Sequence, residues 1–168
     1  MDKFYLQRIK RKIKKIMSNK KDFVCKHQWK YGYPVITICV DFDGTVVEHC
    51  YPYVGEESPN CSDIMKRWID EYQVGFILDT MRDKKELEEA VQWFEERGID
   101  LYGVGKNPTQ EEWTSSNKCH AHFSIDDRNI GCPLMIGSNG HPMTDWNKIV
   151  EEYEPIIKDL FNKRISKH

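Results

Sequence analysis

An apolar stretch that ends in paired carboxylates is the feature of this sequence best suited to chemistry. Residues 36–40 read Ile-Thr-Ile-Cys-Val, and Asp41, Asp43, Gly44 and Thr45 follow within five positions. The β-branched run predicts a strand buried on both faces of a parallel sheet. Open α/β sheets bind their ligands beyond the carboxyl ends of such strands, which is where the two aspartates would lie.

The spacing of Asp41 and Asp43 points to a cation or to group transfer. Two carboxylates held close together raise one another's pKa unless a cation neutralises them, and Mg²⁺ prefers oxygen ligands of this kind. One carboxylate can act as a covalent nucleophile while a second serves as acid and then as base. The alternative is a simple turn after a strand, because Asp-Gly pairs are common in turns.

A second apolar run also ends in polar residues. Residues 74–80 predict a buried strand that ends in Thr80, and Arg82 follows two positions later. Thr80 is either a phosphate-binding hydroxyl or an ordinary β-branched residue at a strand end. Asp79 precedes it and is interpreted either as pointing away from the site or as binding a substrate hydroxyl or amine.

A third polar cluster follows the predicted strand at 121–125. This strand ends in Asp126 and Asp127, and Lys118 lies eight residues before Asp126. Two histidines flank the strand, His120 and His122, and we interpret them as partly buried structural residues. The run at 103–106 lacks the full spacing of a phosphate-binding P-loop and is rejected as one.

Together these motifs resemble the haloacid dehalogenase-like (HAD) superfamily, whose members are mostly phosphatases. The resemblance covers roughly residues 35–150 and implies that Asp41 is the nucleophile, which becomes an aspartyl phosphate. It implies that Asp43 protonates the leaving group and then activates water. Thr80 would bind the transferring phosphoryl group, and Lys118 would bridge the nucleophile and the phosphoryl oxygens.

The resemblance also implies a Mg²⁺ cofactor and a substrate pocket. The predicted metal residues are Asp41, Asp43, Asp126 and Asp127, with Asp127 favoured over Asp126 as the direct ligand. The predicted substrate-binding residues are Gly44, Thr45, His49 and Arg82. The stretches at 47–57 and 125–131 are most similar to small, capless bacterial and phage members of the superfamily.

The predicted fold is an α/β, Rossmann-like three-layer sandwich with a mainly parallel central sheet. Helices are predicted over residues 62–73, 83–97 and 145–165, with further strands at 101–104 and 134–136. The gaps between motifs are consumed by βαβ crossovers, so no room remains for a large cap domain. Residues 46–60 show no regular pattern and predict a loop or flap over the site.

Composition narrows the class of protein. The chain has 168 residues, six scattered cysteines without a Cys-x-x-Cys pair, and no apolar run of transmembrane length. These features predict a cytoplasmic protein with reduced thiols and no structural zinc site.

Charge is distributed unevenly along the chain. Residues 1–21 carry nine basic residues against one acidic residue, a net charge of +8, so the remaining residues carry −10. We therefore divide the chain into a basic amphipathic arm with a linker, residues 1–34, and a hydrolase domain, residues 35–168. The arm either packs on the body or on a second subunit of a homo-oligomer, binds a polyanion such as nucleic acid or a membrane surface, or is a solvated tail.

The sequence therefore predicts a magnesium-dependent phosphatase acting on a phosphorylated substrate. A nucleotide, a sugar phosphate and a nucleic-acid end are all open as substrates, and phosphotransfer is a related activity. The alternative is a non-catalytic protein that binds polyanions or membranes through its basic arm and keeps the enzyme fold as a scaffold.

Overall fold

A computed structural model describes residue 23 and residues 25–167 as an α/β structure. Its strands are β1 (Ile36–Val40), β2 (Val74–Leu78), β3 (Gly103–Val104), β4 (Phe123–Ile125), β5 (Leu134–Ile136) and β6 (Pro142–Thr144). Its helices are α1 (Cys61–Tyr72), α2 (Lys84–Glu96) and α3 (Trp146–Ile165), with a 3₁₀ turn at Gln110–Glu112.

Four of the strands form one parallel sheet in the order β3-β2-β1-β4. Strand β1 is central and pairs along its whole length with β2, from Ile36 opposite Val74 to Val40 opposite Leu78. Every residue of β1 and of β2 is buried, as expected for central strands of a parallel sheet. The predicted α/β class and the parallel sheet are confirmed.

The two faces of the sheet are covered differently. Ile36, Ile38 and Val40 join one core cluster with buried residues from all three described helices. On the opposite face the neighbours are irregular, because the Cys39 sulfur lies 3.2 Å from that of Cys119, and the Thr37 N–H donates to His122 Nδ1 at 3.0 Å. In the described part of the chain, the third layer of the predicted sandwich is therefore an irregular segment rather than a layer of α-helices.

Helices α1 and α3 pack against each other through aromatic rings and one ion pair. The Trp68 and Trp146 rings lie 6.3 Å apart, and both side chains are fully buried. Both terminal nitrogens of Arg67 donate to the carboxylate of Glu154, at 2.6 and 2.5 Å. The α3 helix is continuous through Pro155.

Several predicted elements need correction. The strand predicted at 134–136 does not extend the main sheet; it forms an antiparallel hairpin with Pro142–Thr144. The second strand ends at Leu78, so Thr80 lies beyond it rather than in it. In the segment predicted as a linker, Trp29 and Tyr31 pack on the core cluster.

The basic arm predicted at residues 1–21 lies outside the described residues. Among the residues that are described, no helix combines the length and apolarity needed to cross a membrane.

The contact between Glu154 and α1 generates a stability prediction. Hydrogen bonds from Arg67, and then from Trp68 and Tyr72, lower the pKa of Glu154 from 4.5 to about 2. A depressed native pKa adds stability above pH 4.5 that is lost as the pH falls towards 2. Glu154→Gln should lower the free energy of unfolding at neutral pH by about 1–3 kcal/mol and flatten its dependence on pH in this window.

Urea unfolding followed by circular dichroism across that pH range measures both effects. Glu151→Gln is the matched control, because Glu151 is an exposed residue on the same helix. Equal pH profiles for wild type and Glu154→Gln would contradict the assignment.

Candidate functional site

Three carboxylates meet at the carboxyl edge of the sheet. Asp41 follows β1, while Asp126 and Asp127 follow β4, and the two strands are paired neighbours with Val40 opposite Ile125. One oxygen from each carboxylate lies within 4.8 Å of the others. The backbone N–H of Asp41 donates to the Ile125 carbonyl at 3.0 Å, which extends the pairing of the strands into the site.

The electrostatics of this cluster favour uptake of positive charge. Burial, and then the charges of Asp126, Asp127 and Asp43, raise the pKa of Asp41 from 3.8 to about 7. Burial and Asp126 likewise raise the pKa of Asp127, opposed in part by Arg128 and His49. Three partly buried carboxylates in so small a space destabilise one another when all of them are ionised.

A tight turn brings the two acidic segments into contact. Gly44 has φ +83°, and a Cβ atom there would lie 2.7 Å from an oxygen of Asp127. Only glycine permits both the left-handed backbone and the close approach of the carboxylate. The fully buried Thr45 hydroxyl accepts the Asp127 N–H at 2.9 Å and lies 3.5 Å from an Asp41 oxygen. Thr45 therefore joins the two segments.

Asp43 lies outside the three-carboxylate cluster and is bound by an arginine. Both Asp43 oxygens accept from Arg82, at 2.6 Å each, in a bidentate ion pair. The guanidinium carbon lies 5.0 Å from the centre of the Phe42 ring and 5.4 Å from that of Tyr51. The Arg82 side chain is only 1% exposed, so this charge pair is almost wholly removed from solvent.

The segment at residues 46–60, predicted as a loop or flap, is a loop that hydrogen bonds from Arg82 hold beside Asp43. Arg82 donates to the carbonyls of Pro52 at 3.1 Å and Tyr53 at 2.8 Å. At the base of the loop, the Glu48 N–H donates to the Glu56 carbonyl at 2.7 Å. His49 is exposed near the mouth of the site, and its charge acts on the Asp127 carboxyl group.

The remaining predicted residues lie at the same edge with different degrees of contact. The Thr80 hydroxyl accepts the Arg82 N–H at 3.3 Å, which leaves its proton available to a ligand. Lys118 is exposed, and within the described part of the chain its ammonium group forms no hydrogen bond or ion pair. Asp79 is exposed, and its charge acts on Cys39 and Cys119, away from the carboxylate cluster.

A buried glutamine supports the segment that carries Lys118. The Gln110 side-chain amide donates to the carbonyls of Ser116 at 2.9 Å and Lys118 at 2.7 Å. Its oxygen accepts the His120 N–H at 2.7 Å. Together with the contact between Cys119 and Cys39, these bonds fix the backbone at Lys118 and leave its long side chain free to reach a ligand.

The carboxylate cluster fits a hard divalent cation. Asp41, Asp126 and Asp127 offer carboxylate oxygens within 4.8 Å of one another, and Mg²⁺ prefers oxygen ligands of this kind. Asp127 Oδ1 is buried and has no hydrogen-bond partner among the described residues, which is costly unless a ligand satisfies it. Asp43, which we also predicted as a metal residue, is not a member of this cluster; its metal role stays a prediction.

Glu48 is a structural residue of the site that was not predicted from the sequence. Glu48 is 5% exposed, and its carboxylate accepts both the N–H and the hydroxyl of Ser138, which ties the loop to the β5–β6 hairpin. A lone acid directly after the apolar pair Val46-Val47 was the available signal. Trp146 lies in the core, and its indole N–H donates to the Thr45 carbonyl at 2.8 Å.

Comparison with solved structures identifies a similar protein. It is described as a conserved protein from Bacteroides thetaiotaomicron, with 36% sequence identity and a TM-score of 0.57. The match covers 71% of this chain and 90% of that one. No protein-family model matches the sequence, and no curated protein does.

The raised pKa of Asp41 predicts how the metal-free protein responds to pH. Unfolded Asp41 ionises near 3.8 and the native residue near 7, so the free energy of unfolding should fall as pH rises through this window. Asp41→Asn should remove this part of the pH dependence. Above the native pKa, Mg²⁺ should raise the melting temperature of the wild type but not of Asp41→Asn or Asp127→Asn. Thermal melts with Mg²⁺ and with a chelator provide the measurement, and a wild-type melt insensitive to Mg²⁺ would contradict the metal assignment.

The Asp43–Arg82 ion pair predicts strong thermodynamic coupling. Arg82→Gln leaves a largely buried carboxylate without its cation and should lower the free energy of unfolding by about 3–5 kcal/mol. Adding Asp43→Asn should recover part of the loss, because no unpaired charge then remains. Urea unfolding of both single variants and of the double variant measures the coupling. Exposed Arg128→Gln is the control, and simple additivity of the two single effects would show that the pair is not coupled.

Proposed function

We propose that this chain, which belongs to the same family as the conserved Bacteroides thetaiotaomicron protein, is a magnesium-dependent phosphatase that works through an aspartyl phosphate. The observation that carries the proposal is the half-buried Asp41 carboxylate, which lies against Asp126 and Asp127 with the Asp43–Arg82 pair beside it. The HAD-like motif order supports the same reading of the site.

In the first half of the reaction, an Asp41 oxygen attacks the phosphorus atom. A phosphorus–oxygen bond forms to Asp41, and the bond to the leaving oxygen breaks as that oxygen takes a proton from Asp43. Arg82 binds both Asp43 oxygens in the resting site, so Asp43 can carry that proton only after one of them is released. The incoming phosphoryl group provides a competing anion for the guanidinium, which agrees with the prediction of Arg82 as a substrate-binding residue.

In the second half, Asp43 acts as a base. It accepts a proton from water as the water oxygen attacks the phosphorus, and the bond to Asp41 breaks to release phosphate and the free carboxylate. Attack by a substrate hydroxyl in place of water would give a phosphotransferase.

The other residues bind charge and fix orientation. Mg²⁺ held by Asp41, Asp126 and Asp127 would neutralise the clustered carboxylates and offset charge on the phosphoryl oxygens. The Thr80 hydroxyl would donate to a phosphoryl oxygen, and the Lys118 ammonium would extend over the site to another. The Gly44–Thr45 turn holds the Asp41 and Asp127 segments in contact, as this arrangement of ligands requires.

The proposed substrate is a phosphate monoester. The proposed compartment of the enzyme is the cytoplasm. Only an ordered loop separates β1 from α1, and it holds no helix. A site covered by so short a segment is compatible with a small phosphorylated metabolite or with a phosphate on a larger molecule.

Asp41→Asn tests the chemistry directly. An amide cannot form the acyl phosphate, so magnesium-dependent phosphate release from an aryl phosphate should fall by at least about a thousandfold. Circular dichroism should show an intact fold. Asp70→Asn, the same substitution at an exposed position of α1, should retain full activity. Near-normal turnover by Asp41→Asn would exclude Asp41 as the nucleophile.

A further inference from the structure

Two tyrosines stand exposed on the loop beside Asp43. Tyr51 is 56% exposed and Tyr53 is 77% exposed, although both are large aromatic residues. Neighbouring Val54 and Met81, at 37% and 96% exposed, extend the apolar surface at this side of the site. Grouped exposed apolar side chains at the mouth of a polar site are typical of a surface that binds a ligand.

The loop that carries the tyrosines is fixed. Its ends are joined by the bond from the Glu48 N–H to Glu56, and its tip is closed by the bond from the Tyr53 N–H to the Cys50 carbonyl at 3.0 Å. Arg82 holds the backbone at Pro52 and Tyr53 from below. At Gly55 a Cβ atom would lie 2.2 Å from the Glu48 carbonyl oxygen, so the loop closes without room for a side chain.

A fixed loop with exposed rings is preorganised for stacking. Tyrosine buries a large planar area at a small cost in conformational entropy, because it has few rotatable bonds. Ordering the loop before the ligand arrives removes a further entropic cost of binding. The rings therefore favour a flat partner rather than a flexible alkyl chain.

The position of Tyr51 relative to Asp43 indicates how the partner is attached to the phosphate. Asp43 is the proposed donor to the leaving oxygen, and the Arg82 guanidinium contacts both Asp43 and the Tyr51 ring. A ring stacked on Tyr51 would therefore be separated from the ester oxygen at Asp43 rather than bonded directly to it. In a nucleoside phosphate the sugar provides this separation, whereas in phosphotyrosine the ring is bonded directly to the ester oxygen.

We propose that Tyr51 and Tyr53 form a stacking platform for a nucleobase, so that the substrates are nucleoside phosphate monoesters. This inference rests on the proposed phosphatase function and names its substrate class. The platform binds the leaving group and takes no part in proton transfer. The shared chemistry, a base joined through a sugar to a terminal phosphate, occurs both in mononucleotides and at phosphorylated ends of nucleic acids.

Kinetics with paired substrates test the platform. The full chain with Mg²⁺ is assayed on adenosine 5′-monophosphate, ribose 5-phosphate, phosphotyrosine, and oligonucleotides phosphorylated at the 5′ or the 3′ end. The wild type should have a higher kcat/KM for the nucleotide than for ribose 5-phosphate, since base stacking on an aromatic ring contributes about tenfold or more. A higher kcat/KM for an oligonucleotide than for the mononucleotide would show that phosphorylated ends of nucleic acids are the preferred substrates.

Variants of the tyrosines separate stacking from general damage. Tyr51→Ala and Tyr53→Ala should each raise KM for the nucleotide about tenfold more than KM for ribose 5-phosphate, whereas Tyr51→Phe should retain near-normal KM for both. Tyr33→Ala is the control, because Tyr33 is 44% exposed but precedes β1 at the opposite edge of the sheet. An equal loss on both substrates, or a preference for phosphotyrosine, would overturn the platform while leaving the phosphatase in place.

A binding measurement keeps the two proposals distinguishable. Asp41→Asn should still bind adenosine 5′-monophosphate by calorimetry, and adding Tyr51→Ala should weaken that binding about tenfold. Tyrosine-dependent binding without turnover of any monoester by the wild type would reject the phosphatase and retain the platform. Binding that is indifferent to Tyr51 would reject the platform itself.

Discussion

The mutual repulsion of three carboxylates at one edge of the sheet is the constraint on which this site depends. Asp41, Asp126 and Asp127 approach because β1 and β4 are paired, and the glycine at 44 removes the one side chain that would keep them apart. The Thr45 hydroxyl and the strand-extending bond from Asp41 to Ile125 hold them there. Proteins rarely retain so unfavourable an arrangement unless a cation or a reaction compensates for it, since clusters of perturbed pKa values mark functional sites.

Arg82 links Asp43, the proposed acid–base residue, to the loop beside it. Its guanidinium group satisfies Asp43, two loop carbonyls and the faces of two aromatic rings at once. An arginine can do this because its planar fork binds a carboxylate bidentately while its flat faces stack. In the proposed reaction, Arg82 would therefore contact both the residue that transfers the proton and the loop that binds the leaving group.

The face of the sheet opposite the helices is covered by an irregular segment that also positions Lys118. Gln110, buried beneath this segment, binds two carbonyls and one N–H of residues 116–120. The contact between Cys119 and Cys39 then places the lysine near the end of β1. A helix at this position would have held the lysine more rigidly. The loop is held through its backbone, so it fixes the backbone position of Lys118 but not the direction of the side chain. This arrangement suits a residue that must reach a ligand.

Local patterns in the sequence were enough to predict most of the regular elements. Apolar runs predicted β1 and β2, and amphipathic periodicity predicted all three described helices to within one or two residues. Local patterns suffice for this, because burial on both faces and helical periodicity are properties of adjacent residues. The resemblance of the motifs to the HAD-like superfamily implied Asp41, Asp126 and Asp127 as metal residues, and the structure brings these three carboxylates together. Only the folded chain revealed the pairing of Asp43 with Arg82, the burial of Glu48 against Ser138 and the contacts that cover the second face of the sheet. Each depends on contacts between residues far apart in the chain, whose partners no local pattern specifies.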